Sequence, residues 1–259
     1  MFKWTGSKKW LRHNLKEVDE VVEMFAGSAW VSFSRSNKCH LNDTCLPLIA
    51  VYEQLMTNKA SFLFDVERQF LSIQNASDPR ATYNSLRTKF NITGSDPVLF
   101  CVLLHAGFNG LWRTSTKGFN VPYGGVRKLD LSTLDSIPVE KIVTLSATSW
   151  EDVHIPNEKC LIYADPPYVG THTIYTKEGW DHLDNQNLVA HLSDIKNPTM
   201  FSLLNTDFNL KLIKKNNFLY AEKERTFRNG VSTGKRVKEL ICFNEKAHSY
   251  LKNIQYILQ

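Results

Sequence analysis

Hydrophobic and polar positions follow two rhythms along this chain. VVEMFA (21–26) is a short apolar run that reads as a buried strand, and KCHLND (38–43) reads as a second strand ending on Asp43. EKIVTLSA (140–147), CLIYA (160–164) and TMFSLLN (199–205) have the same character. FLYAEKERTFR (218–228) and RVKELICFN (236–244) read as paired strands around the turn NGVSTG (229–234). Between these runs the spacing changes to the helical period. It predicts helices over 45–58, 60–76, 78–91 and 95–108, the last opening on SDPVLF, where cap residues precede a proline. LDNQNLVAHLSDI (183–195) and NLKLIKKNN (209–217) also read as helices, as does the tail SYLKNIQYILQ (249–259). LWRTSTKGFNVPYGG (111–125) breaks the pattern with Gly, Pro and small polar residues among aromatics, so a hairpin or loop is expected. Alternating strands and helices at both ends predict an α/β sheet. The expected organisation is a sheet domain from 1–55 and 136–259, carrying a mostly helical module with a β-hairpin inserted at 56–135.

Composition narrows the function classes. Hydrophobic residues make up 42% and charged residues 22%, the balance of a soluble globular chain that buries a core. No run of 18 apolar residues suggests a transmembrane helix, and the basic start MFKWTGSKKWLRHN has no apolar core of a secretory signal. The five cysteines are odd in number and never spaced C-x-x-C, which argues against a disulfide framework or a zinc site and suggests a reducing, cytoplasmic compartment. The eight histidines are scattered, so no metal site is expected. A net charge of +5 hints at a polyanionic partner.

Candidate chemistry gathers at three places. In LIYADPPYVG (161–170) a strand ends on Asp165, followed by Pro166, Pro167 and Tyr168. Each proline fixes its own φ, lacks an N–H and pushes the preceding residue towards extended geometry. The result is a rigid cluster of acceptors followed by an aromatic ring. In FAGSA (25–29) Gly27 follows a strand and lets the backbone approach a ligand. Asp43, 16 residues on, is placed to accept from ribose hydroxyls. Ala29 and Trp30 stand where a phosphate-clamping glycine would be, so an adenosine ligand without phosphates fits better; a plain strand–turn–helix corner with a surface Asp is the other reading. Upstream, KWTGSK (3–8) contains Trp4, Gly6 and Lys8; Lys8 is read either as holding a carboxylate or as part of a solvated basic terminus. In RTSTKGFNVPYGGVRK (113–128) basic residues without an acid interleave with Phe119 and Tyr123. Such a segment can neutralise phosphates and reach base edges, Arg113 reading guanine and Asn109 adenine, or it can be a charged surface hairpin.

Taken together, these segments resemble the Dam family of DNA adenine-N6 methyltransferases. KWTGSK resembles the family's K-W-x-G-x-K, FAGSA its F-x-G-S-x turn, GFNGLWRTSTKGFNVPYG its N-G-L-x-R…F-N-V-P-F/Y-G segment, and DPPY its catalytic motif. The order of the motifs is also the family's, and the match spans Lys3 to about Phe243.

The resemblance implies a Rossmann-like methyltransferase sheet, S-adenosylmethionine as methyl donor, double-stranded DNA as partner, and no metal. It implies catalysis by Asp165, Pro166 and Tyr168, and cofactor contacts from Trp4, Lys8, Phe25, Gly27, Asp43, Asp165 and Trp150. Ser149 stands before Trp150 where relatives have an acid, and a core aromatic is the alternative for Trp150. DNA contacts are implied for Lys3, Phe108, Asn109, Arg113, Ser115, Lys117, Asn120, Pro122, Arg127 and Lys128. The implied target is GATC or a near variant. Gly125 and Val126 replace an Arg–aromatic pair of relatives, Arg127 comes two positions late, and the hairpin is one residue shorter, so discrimination at one flanking base is expected to be relaxed. Rival readings are a cytosine-N4 or RNA adenine methyltransferase, or a catalytically silent DNA-binding relative. Asp165 where N4 enzymes usually carry Ser, and the intact motif around it, disfavour the first and the last.

Overall fold

A computed structural model describes residues 4, 6–125, 128–170, 179–227 and 235–252. Its centre is a seven-stranded sheet. The strands in chain order are β1 (Val18–Glu23), β2 (Ser36–Asn42), β5 (Ile142–Ser146), β6 (Leu161–Ala164), β7 (Thr199–Leu204), β8 (Leu219–Phe227) and β9 (Lys235–Phe243). They lie in the order β5-β2-β1-β6-β7-β9-β8. All neighbours from β5 to β7 are parallel; β9 runs antiparallel to β7 and β8 antiparallel to β9. The chain therefore builds outwards from β1 on one side, then returns across β1 to start the other side at β6. Glu23 at the end of β1 lies opposite Tyr163 of β6. That reversal makes the carboxyl ends of β1 and β6 the crevice of a Rossmann-like, doubly wound sheet.

Side chains alternate between the two faces, as strand geometry requires. One face puts Val22, Ile162, Phe201 and Leu240 against Leu188, Val189 and Leu192 of α7 (His182–Asp194) and Leu212 and Ile213 of α8 (Asp207–Lys215). The other puts Val21, Leu161, Tyr163, Met200, Ile241 and Phe243 against Leu11, Leu15, Val31 and Ala247. Val31 belongs to the short helix α1 (Trp30–Arg35). All four residues of β6 are buried, which is why its sequence reads as unbroken apolar character.

The helical block comprises α2 (Leu46–Thr57), α3 (Lys59–Gln74), α4 (Pro79–Thr93) and α5 (Pro97–Ala106), followed by a hairpin of β3 (Thr114–Ser115) and β4 (Gly118–Phe119) and the short α6 (Ser132–Asp135). Two of these helices open as their sequence dictates: Asp78 and Asp96 accept the N–H of Ala81 and Leu99 ahead of Pro79 and Pro97. α4 stops at Gly94, whose φ of 77° suits glycine. Residues of these helices share one hydrophobic cluster with Cys39, Leu41 and Ile142 of the sheet.

Three expectations need correction. β1 ends at Glu23, before Phe25 and Ala26, because the Ala26 N–H leaves the ladder for Asn42 O (2.7 Å) as the Gly27 turn begins. α5 ends at Ala106, because Gly107 turns extended and Phe108 N–H donates to Pro122 O. The tail does not continue as a helix through 251–252: Leu251 bridges Leu15 and Lys252 N–H donates to Asn14 O. The rest of that expected helix, and the whole of the turn 229–234, lie outside the described residues. Among the described residues no helix is long and apolar enough to cross a membrane.

Candidate active site and recognition hairpin

The first wall of the crevice is the turn after β1. Gly27 has φ of 49°, and a Cβ there would stand 2.7 Å from the indole nitrogen of Trp4. Glycine is therefore required twice, by backbone conformation and by the ring lying over it. Asp43 is no free surface acid: Oδ2 accepts the Gly27 N–H (3.0 Å) and Oδ1 the Cys45 N–H (2.9 Å). Burial pushes its pKa up, against the pull of those two bonds. Tyr52 donates to Gly27 O (2.7 Å), so the turn is fixed from both sides. Asn42 ties three strand ends together, donating to Met24 O and Thr148 O and accepting from Ser146 Oγ and Thr148 N–H. Phe25 packs edge-on against Trp180 (5.5 Å). Trp150 opens a short 3₁₀ turn, is half-buried beside the α7 face, and meets His191 edge-on.

The second wall is the loop after β6. Asp165 follows Ala164 directly and accepts from Lys8 Nζ (2.7 Å). Lys8, expected at a cofactor carboxylate or in solvent, is 3% exposed and also donates to Gly6 O. Its ammonium stands 3.9 Å from Glu239 Oε1 and 5.2 Å from the Tyr168 ring centroid. Tyr168 Oη donates to the same Glu239 oxygen (3.3 Å). Glu23 lies just below, buried, accepting the Ser32 N–H (2.7 Å). Burial raises its pKa to about 8, with the negative charges of Asp165 and Asp43 adding to the rise. Beside Tyr168, a pocket of about 270 Å³ is lined by described residues that include Gly170, His182, Asn185, Thr206 and Asn209.

The hairpin begins where Gly107 meets Tyr123. Phe108 is exposed at 37%, and Asn109 adopts a left-handed φ of 56°. Arg113 donates from Nε to Asn120 Oδ1 (2.7 Å) and from Nη2 to Asn120 O (3.2 Å), spanning the base of the hairpin. Asn91 of α4 grips the far strand, accepting from and donating to the backbone of Phe119. Phe119, grouped from sequence with base-reaching residues, is instead 2% exposed and stacks on Trp112 at 4.9 Å. Lys117, Asn120, Pro122 and Lys128 are exposed and Ser115 is half-buried. Lys3 and Arg127 lie outside the described residues.

Comparison with known proteins decides the family. The model of D12 class N6 adenine-specific DNA methyltransferases matches residues 4–227. The chain belongs to this class. A DNA adenine methylase of Vibrio cholerae serotype O1 is 28% identical over 212 residues, covering 74% of each chain. The retron Ec67 DNA adenine methylase of Escherichia coli is 26% identical over 262 residues, covering 93% of this chain and 90% of its own. A solved precorrin-6y C5,15-methyltransferase from Geobacter metallireducens GS-15 aligns with a TM-score of 0.35 at 6% identity, covering 91% of this chain and 84% of that one. Family membership rests on the first of these matches.

For an adenine-N6 methyltransferase the chemical need is acceptors aimed at an exocyclic amine, because that amine's lone pair is delocalised into the ring. The crevice offers the Asp165 carboxylate next to a rigid proline carbonyl. It also contains groups that sequence reasoning passed over: Glu23, Asn42, Tyr52, Trp180 and Glu239. Glu23 and Glu239 each interrupt an apolar run of a strand, a signal visible in VVEM and VKELICF.

Proposed function

We propose that this chain transfers a methyl group from S-adenosylmethionine to N6 of an adenine flipped out of duplex DNA. The observation that carries the reading is that Asp165-Pro166-Pro167-Tyr168 follows β6 directly beside the Gly27 turn of β1, at the point where the sheet order reverses. A base inside a duplex cannot enter such a crevice, so the target adenine is extruded. Asp165 and the Pro166 carbonyl then accept hydrogen bonds from the amine's two N–H groups and draw the nitrogen towards a nucleophilic, tetrahedral geometry, and Asp165 would take up the one proton that the nitrogen loses on methylation. This is orientation with preorganised electrostatics and needs no covalent intermediate. The Tyr168 ring offsets part of the lost stacking.

The residues fit the cofactor. The Gly27 turn has no phosphate-clamping glycines, and the carboxylates of Asp43, Asp165 and Glu239 favour a cationic ligand. Lys8 and Trp4, with Asp165, would line its amino-acid end, Phe25 and Gly27 the turn, Asp43 the ribose and Trp150 the adenine. When bound, S-adenosylmethionine supplies an electrophilic methyl group on a sulfonium.

Residues 56–135 are the proposed target-recognition module of a cytoplasmic enzyme. Phe108, Asn109 and Arg113 would invade and read the site, while Ser115, Lys117, Asn120, Pro122 and Lys128, with Lys3 and Arg127, contact the backbone and flanks. The proposed target is a short AT-containing site, GATC being favoured, with weakened discrimination at one flanking base worth about 1–3 kcal/mol. The test is single-molecule sequencing of a methylation-free genome treated with the chain and S-adenosylmethionine in chelator. N6-methyladenine at GATC and some near-cognate sites is expected. Strict GATC modification at high enzyme would refute the relaxation; modification of cytosine, or of RNA alone, would refute the assignment.

A further inference from the structure

Glu239 lies on β9, outside every recognisable motif, and is 0% exposed. It shares a sheet face with Ile241 and Phe243, both core residues. Its register partner is Leu204 at the carboxyl end of β7, so its carboxylate sits at the floor of the crevice. An apolar residue would fill that position with less desolvation, so packing alone does not account for an acid there. Its Oε1 accepts from Tyr168 Oη at 3.3 Å and stands 3.9 Å from Lys8 Nζ, which is itself 2.7 Å from Asp165. One buried carboxylate thus touches both the ring at one end of the DPPY motif and the cation at the other.

We propose that Glu239 is a positioning residue for methyl transfer, holding the Tyr168 ring in its stacking orientation and drawing Lys8 away from full commitment to Asp165. The inference rests on the roles proposed above for Asp165 and Tyr168. Its physical logic is a shared cation. An ammonium bound to Asp165 alone withdraws charge from the oxygen that must accept the adenine amine. A second carboxylate facing the same ammonium loosens that hold and leaves Asp165 the better acceptor. The hydrogen bond from Tyr168 Oη to Glu239 adds a geometric constraint on the ring.

The experiment measures single-turnover methyl transfer to an adenine-containing duplex, at saturating S-adenosylmethionine and DNA, for the full chain. Glu239→Gln keeps an acceptor for Tyr168 and removes the charge; its rate constant should fall about tenfold with little change in KM for either substrate. Glu239→Ala removes both contacts and should fall about a hundredfold. Tyr168→Phe deletes the hydroxyl alone, and adding it to Glu239→Ala should cost nothing further, since the contact is already gone. Should Glu239→Ala fail to fold, Glu239→Gln and Tyr168→Phe test the two contacts separately. A lower melting temperature with an unchanged rate constant in Glu239→Gln, or fully additive losses in the double variant, would overturn the inference while an active wild-type chain leaves the parent reading standing. A wild-type chain that transfers no methyl group would overturn both.

Discussion

At the crevice between β1 and β6, acids do the holding: Asp43 locks the Gly27 turn, Glu23 anchors the start of α1, and Asp165 and Glu239 share Lys8. In the hairpin at 111–125 the deeply buried side chains are apolar, namely Trp112, Phe119 and Val121, and the polar residues lie on the outer side. The difference fits the roles proposed above, methyl transfer at the crevice and base reading at the hairpin. A reacting amine needs acceptors fixed in a low-dielectric site, so charge is buried and every carboxylate is given a partner. A surface that reads bases needs exposed donors on a rigid support, so the charge is left outside and packing supplies the rigidity. Removing a charge should therefore cripple the crevice while leaving the fold of the hairpin intact, and removing an apolar side chain should do the reverse.

The largest expected effect tests the crevice. Asp165→Ala should lower methyl transfer by about 10²–10³-fold or more, as losing a preorganised electrostatic partner does elsewhere. Duplex affinity should change little, because it comes mainly from phosphate contacts. Burst measurements with labelled cofactor and a filter-binding titration give the two numbers. Near-normal turnover would mean that the acid is not acting on the amine.

The hairpin counterpart is Phe119→Ala. Stacked on Trp112 and shielded from water, the ring should cost about 3–5 kcal/mol of stability when truncated, read by denaturant unfolding. Lys117→Ala, a few residues away and exposed, should fall within about 0.5 kcal/mol of wild type. Equal losses would show that the hairpin is not supported from within.

A third outcome belongs to the crevice alone. Glu23 has a folded-state pKa of about 8 against an ordinary 4.5, so between these values the folded chain holds a proton that the unfolded chain has released. The unfolded state then binds fewer protons, and stability falls as pH rises through about 5 to 8 and levels off above. Glu23→Gln should flatten that slope by a few kcal/mol across the window, in urea melts at several pH values. An unchanged slope would mean that Glu23 is ionised throughout.

The framework of both regions was legible in sequence for local reasons. Asp78-Pro79 and Asp96-Pro97 announce helix starts, an unbroken apolar run announces β6 and a mostly apolar one β7, and Gly27, Asp43 and Asp165 stand at or just past strand ends where ligands gather. What was hidden depends on distant contacts. Lys8 meets Asp165 across 157 positions, and nothing in KWTGSK says that its ammonium will be enclosed by the sheet. That Phe119 faces inwards was not legible, because a two-residue strand has too short a period to show which side faces in. Glu239 was readable in principle, since it shares the parity of Val237, Ile241 and Phe243, but its partner Tyr168 could be known only from the fold.

The finest expected effects divide the hairpin's own outer surface. Arg113 is held by Asn120 at the base of the hairpin, which presents the guanidinium as a fixed plane. A fixed plane suits bidentate reading of a guanine edge, so Arg113→Ala should relax preference at one base by about 1–3 kcal/mol. Asn120→Ala leaves the charge but releases the plane, and should relax the same base by a smaller amount. Lys117 and Lys128 are exposed and outside that arrangement. Replacing either should weaken binding to all sequences alike and reduce the slope of log K against log salt by about 1. Competition titrations with cognate and single-mismatch duplexes, repeated at several salt concentrations, separate the two behaviours. If Arg113, Lys117 and Lys128 all gave the same salt-dependent, sequence-independent loss, the hairpin would be a plain electrostatic arm, and base reading would have to come from Phe108 and Asn109 at its root.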